Sequence, residues 1–81
     1  MRVRVRLFAS LREAAGVSEA ELELEDGASA EDAWHRLAGL HPAVAGRRAS
    51  LAASVNRRYA PFQTALADGD EVVFIPPVSG G

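Results

Sequence analysis

Cysteine and lysine are both absent from this sequence of 81 residues. Without cysteine there is no disulfide, no thiolate metal site and no cysteine nucleophile. Without lysine there is no side-chain amine for Schiff-base chemistry or for receiving an isopeptide bond. All nine basic residues are arginine, a usage that genome composition accounts for without any appeal to function. Long apolar runs are missing too, and none approaches the roughly 18–20 residues of a membrane span. The start, Met1-Arg2-Val3-Arg4-Val5-Arg6, alternates and lacks the continuous apolar segment of a signal peptide. The expectation is a soluble, cytoplasmic protein without membrane contact.

An excess of either charge is lacking as well. Nine basic and eleven acidic residues leave a net charge of −2, which exerts no general pull on nucleic acid. The chain is long enough for one small domain. Its apolar fraction of 48% is that of a folded protein rather than a disordered one. The catalytic inventory is thin. His35 and His41 do not share a helical face, and no paired carboxylate accompanies them. Asp68-Gly69-Asp70 lacks the ligand spacing of a calcium loop and is better taken as a turn. No metal site is expected.

The patterning that is present is clear. Over residues 2–8, Val3, Val5 and Leu7 alternate with Arg2, Arg4 and Arg6, the period of a half-buried strand. Phe8 falls with the arginines, on the face that otherwise looks wet. Ser10 and Glu13 have the spacing of a capping box for a short helix that Gly16 can close. Glu21 to Glu25 alternates again, with Leu22 and Leu24 inward, and Asp26-Gly27 turns the chain. Residues 29–40 form the main helix, with Ser29 as N-cap and Glu31 and Asp32 in the first turn. Its apolar stripe is Ala30, Ala33, Trp34, Leu37 and Leu40, and His41-Pro42 ends it. Residues 43–50 look irregular. Leu51 to Val55 is a third strand, Tyr59 to Phe62 a short edge strand broken by Pro61, and Glu71 to Ile75 the last. One helix of about three turns covers one face of such a sheet. The expected fold is α+β: a β-grasp roll with a mixed sheet of about five strands on one main helix plus a short one.

The last strand is apolar on both faces, Val72 and Phe74 on one and Val73 and Ile75 on the other. Both faces should therefore be covered, the second by a partner or by residues 42–50 folding over it. Beyond it, Pro76 and Pro77 stop sheet pairing and project the chain outward. Gly80 and Gly81 carry no side chains, so a terminal carboxylate could pass through a narrow channel of another protein. The division expected is a domain over 1–75 and a flexible Gly-Gly tail over 76–81.

In combination these features resemble the small subunit of molybdopterin synthase, the MoaD-like sulfur carriers with a ubiquitin-like β-grasp fold. The resemblance rests on Leu7-Phe8-Ala9-Ser10-Leu11-Arg12-Glu13, Val55-Asn56, Leu66-Ala67-Asp68-Gly69-Asp70-Glu71-Val72 and Pro76-Pro77-Val78-Ser79-Gly80-Gly81. It spans the whole chain. It implies that an adenylating, MoeB-like enzyme activates the Gly81 carboxylate with ATP, and that a sulfur donor protein converts it to a thiocarboxylate. The MoaE-like large subunit would then take Ser79, Gly80 and Gly81 into its active site, where Gly81 hands sulfur to cyclic pyranopterin monophosphate. Phe8, Tyr59, Phe74, Ile75, Pro76, Pro77 and Val78 would face that partner, in a heterotetramer of two small and two large subunits. The chain itself would bind no cofactor. Alternatives are a carrier for thiamin thiazole synthesis, a ubiquitin-like modifier joined through Gly81, and a β-grasp interaction module without chemistry. Ile75 stands where an aromatic would look equally at home in this family.

Overall fold

The computed structural model describes residues 1–77. Strand β1 (Arg2–Leu7) leads into helix α1 (Ala9–Ala15), strand β2 (Glu19–Glu23) and helix α2 (Ala30–Leu40). A 3₁₀ segment (Pro42–Ser50) then precedes β3 (Ala52–Val55), β4 (Arg58–Ala60) and β5 (Glu71–Ile75). The strands form one sheet in the order β2-β1-β5-β3-β4. β1 and β5 run parallel at its centre, and the other pairs are antiparallel. This mixed sheet curled over one main helix is the expected β-grasp roll.

Alternation decides the core. Val3, Val5 and Leu7 of β1 and Val72 and Phe74 of β5 are buried, in register as Val5 with Val72 and Leu7 with Phe74. Helix α2 lays Ala30, Ala33, Trp34 and Leu37 against them. Trp34 meets Phe74 edge-on at 5.1 Å between ring centroids, and Phe62 stacks on the other side of Phe74 at 5.9 Å. Such arrangements suit the ring quadrupoles and add to the burial of area. Leu40, placed in the same stripe by its spacing, is instead exposed. It is the last residue of α2, and the chain leaves the helix at His41.

Both helix starts repay comparison with the sequence. Ser29 caps α2 as expected, and Asp32 reciprocates: its carboxylate accepts from the Ser29 N–H at 2.8 Å, while the Asp32 N–H donates to Ser29 Oγ at 3.2 Å. The capping box expected of Ser10 and Glu13 does not form. α1 begins at Ala9 with Phe8 as its N-cap, and the Phe8 carbonyl accepts from the N–H groups of Leu11 and Arg12. The chain has to turn directly after Leu7 to bring Leu11 under the sheet, which leaves Ser10 already inside the helix. Gly16 closes α1 with a left-handed φ of 79°, as anticipated. Residues 42–50 are not irregular. They form the 3₁₀ segment, bury Val44 and pack on α1 and α2.

Arg48 fastens that segment. Its guanidinium holds Glu31 through contacts of 2.6–3.1 Å and lies over the Phe62 ring at 3.3 Å. The hydrogen bond from Arg48 lowers the Glu31 carboxyl below its ordinary range, and the Ser29 backbone does the same for Asp32. A carboxyl lowered in the folded state contributes stability above its unfolded pKa and loses it as pH falls through the folded one. Stability should therefore decline as pH drops below the ordinary carboxylate range, and less steeply in Arg48→Ala and Asp32→Asn, as denaturant titrations across pH would show. Phe74→Ala should cost about 3–5 kcal/mol in the same titrations at neutral pH, because it empties the centre of the aromatic cluster.

Candidate docking face and tail root

The face of the sheet turned away from α2 divides into a charged half and an apolar half. On the charged half, the β1–β2 register sets Arg2, Arg4 and Arg6 opposite Glu23, Glu21 and Glu19. Arg2 reaches Glu23 at 2.7 Å, and Arg6 lies 4.0 Å from both Glu19 and Glu71. These exposed pairs contribute little energy each, and register is held instead by the apolar alternation, since a one-residue slip would turn Val3 and Val5 outward.

The apolar half begins at β5. Val73 sits between Arg6 of β1 and Ser54 of β3, and Ser54 is followed by Tyr59 on β4. One step along, Ile75 lies beside Ala52. Leu7 pairs with Phe74, so Phe8 arrives at the level of Ile75. Phe8 is 46% exposed and Tyr59 79%, the two most exposed aromatic side chains among the described residues. Arg6 leans over the Phe8 ring at 5.6 Å, joining the two halves. Nothing else among the described residues covers this face, because the 3₁₀ segment lies with the helices.

β5 then stops at two residues that cannot extend a ladder. Half-buried Pro76 and exposed Pro77 line a cleft of about 170 Å³ with Ser10, Leu11, Arg47, Ser50 and Leu51. The chain thus leaves the sheet between the start of α1 and the end of the 3₁₀ segment. The other end of β5 is pinned. Asn56 donates from Nδ2 to Asp70 at 2.9 Å and accepts the Glu71 N–H at 3.0 Å, while Asp70 also accepts from the Ala67 N–H. Neither Asn56 nor Asp70 was marked by its spacing as more than a turn residue. A polar residue directly after β3 and another directly before β5 are the only signal the sequence offers.

The residues expected at the partner face therefore separate. Phe8, Tyr59, Ile75, Pro76 and Pro77 lie on the open face or at the tail root. Phe74 does not: it is wholly buried between Trp34 and Phe62, because odd and even residues of one strand take opposite faces. Val73 takes the place wrongly given to Phe74. Val78, Ser79, Gly80 and Gly81 lie outside the described residues. No cluster of three or more His, Asp or Glu suited to a metal occurs among the described residues. His35 is engaged with Glu31 at 3.2 Å on the opposite side of the molecule from the open face. No helix among the described residues is long and apolar enough to cross a membrane.

The ThiS family model matches residues 5–81. The chain belongs to that family. It is 43% identical to the molybdopterin synthase sulfur carrier subunit of Chlamydomonas reinhardtii, over the full length of both chains. Among solved structures, the small archaeal modifier protein SAMP1 of Haloferax volcanii superposes with a TM-score of 0.93 at 32% identity, again covering both chains completely. Subunits 1 and 2 of the molybdopterin-converting factor of Helicobacter pylori, solved as a protein–protein complex, provide a match of TM-score 0.69 at 21% identity, covering all of both chains, which bears on the fold alone. The resemblance to molybdopterin synthase small subunits thus holds over the whole length of this ThiS-family chain.

If the open face is a docking surface, Ile75→Glu and Phe8→Glu should fold normally, since both side chains lie outside the core. Each should weaken binding to the host's molybdopterin synthase large subunit by tenfold or more, an effect of about 1.4 kcal/mol. Calorimetric titration would measure it, and undiminished affinity would remove the face from consideration.

Proposed function

We propose that this protein is the sulfur carrier subunit of a molybdopterin synthase and that its reactive group is the Gly81 carboxylate. The observation that carries the proposal is the root of the tail. The central strand ends on two prolines that line a cleft, directly beside an uncovered apolar surface. A chain leaving the sheet there would be delivered to whatever protein covers that surface.

The chemistry follows from what a carboxylate is. It is a poor electrophile, and it becomes a good one when its oxygen attacks the α-phosphate of ATP and pyrophosphate departs. The terminal sulfur of a donor protein's persulfide then displaces AMP from the acyl adenylate, and a thiol cleaves the resulting acyl disulfide, leaving a thiocarboxylate at Gly81 and a disulfide on the donor. In the large subunit the sulfur passes to cyclic pyranopterin monophosphate, and hydrolysis restores the carboxylate. ATP is consumed by the activating enzyme, not by this chain. Substrate binding and proton transfers belong to the large subunit, consistent with the scarcity of catalytic side chains here.

A second reading draws on the likeness to the archaeal modifier protein. The same activated carboxylate could acylate lysines of target proteins. This chain has no lysine of its own, so side-chain-linked polymers of it could not form. Intact-mass spectrometry of protein from the native host separates the readings. A carrier should show the mass gain of an oxygen replaced by sulfur at Gly81, and deletion of Gly81 should abolish molybdopterin formation. A ladder of conjugates with cofactor synthesis intact after that deletion would favour the modifier.

A further inference from the structure

The tip of the β3–β4 hairpin carries a feature that neither the core nor the tail accounts for. Val55 pairs with Arg58, which leaves Asn56 and Arg57 as a two-residue turn. Both have positive φ, 51° and 70°. This geometry matches the twist of a hairpin and favours asparagine followed by glycine. Asn56 fits, and its side chain also serves the contact with Asp70. Arg57 stands where glycine would relax the backbone, so its side chain is kept against local strain.

Nothing in the fold uses that side chain. Arg57 and Arg58 are exposed, and neither has an ion-pair or side-chain hydrogen-bond partner among the described residues. Arg2, Arg6 and Arg48 each face a carboxylate within 4.0 Å, whereas Arg4, Arg12, Arg36 and Arg47 share with Arg57 the lack of one among the described residues; what sets Arg57 apart is its positive φ. Tyr59 comes next and lies on the open face beside Ser54 and Val73. A chain of net charge −2 thus carries a local positive point bordered by an exposed tyrosine. Tyrosine and arginine are the residues enriched at protein interfaces, and the guanidinium fork matches a carboxylate. A nucleic-acid surface would need a broader basic stripe than two arginines on an acidic protein.

We propose that Arg57, at the tip of the hairpin, contacts carboxylates on the same partner protein that covers the apolar open face; Arg58, paired with Val55, has the opposite parity to Tyr59 and is not part of the contact. This extends the docking reading above and rests on it, since Tyr59 joins the tip to that face. The contact lies at the end of the sheet opposite the tail root, because β3 runs antiparallel to β5. It would fix the orientation of the carrier while the tail end enters.

The test uses Arg57→Asn and Arg57→Asp, both tolerant of positive φ, with the host's molybdopterin synthase large subunit as probe. Thermal midpoints should be unchanged or raised. At low salt, Arg57→Asn should bind roughly threefold to tenfold more weakly and Arg57→Asp more weakly still, mainly through slower association. The differences should shrink as salt rises. If wild type binds and both variants match it at every salt concentration, the proposal is overturned while the docking reading stands. If wild type itself fails to bind, the docking reading falls and this proposal with it. A polyuridine oligonucleotide serves as a second probe, and loss of its binding in the variants without loss of large-subunit binding would also overturn the proposal.

Discussion

The fold turns on the placing of β5. It is the central strand, parallel to β1 and antiparallel to β3, and both its faces are in use. Inward, Val72 and Phe74 complete the core beneath Trp34 and Phe62. Outward, Val73 and Ile75 lie on the uncovered surface. Packing on one side thus fixes the position of the surface on the other. A rigid strand also holds side chains more accurately than a loop would, which suits the docking proposed above.

The two halves of the open face have different physical characters. Arginines and glutamates paired across β1 and β2 keep the edge strand charged and so from pairing with strangers. The half around Val73, Ile75, Phe8 and Tyr59 has no such protection, and such a patch on a small protein is commonly an interaction surface. Arg6 stands at the seam, near Glu19, Glu71 and the Phe8 ring together.

Much of this was legible in the sequence because alternation and capping are local. The β1 pattern, the Ser29 cap, the Gly16 closure and the strand stop at Pro76 all depend on neighbours along the chain. The failures, Phe74 apart, have a common cause in tertiary demands. Burial of Leu11 moved the start of α1 ahead of Ser10, and the end of α2 left Leu40 in solvent. Phe74 was assigned to the partner face although the period of two already placed it with Val72. The Asn56–Asp70 contact links residues 14 apart and needed the sheet topology to be seen. The cleft around Pro76 joins three separate segments, so spacing alone could not reveal it.

That same Asn56–Asp70 contact makes the sheet a measuring device. It ties the first residue of β5 to the end of β3, so the zero mark from which the outgoing chain is counted does not drift. A slip of a single residue would shift that mark by about 3.3 Å. It would also turn Ile75 inward and Phe74 outward. The delivery of a chain end to a partner's reaction centre proposed above would tolerate neither error, and two polar side chains far from that end would guard against both.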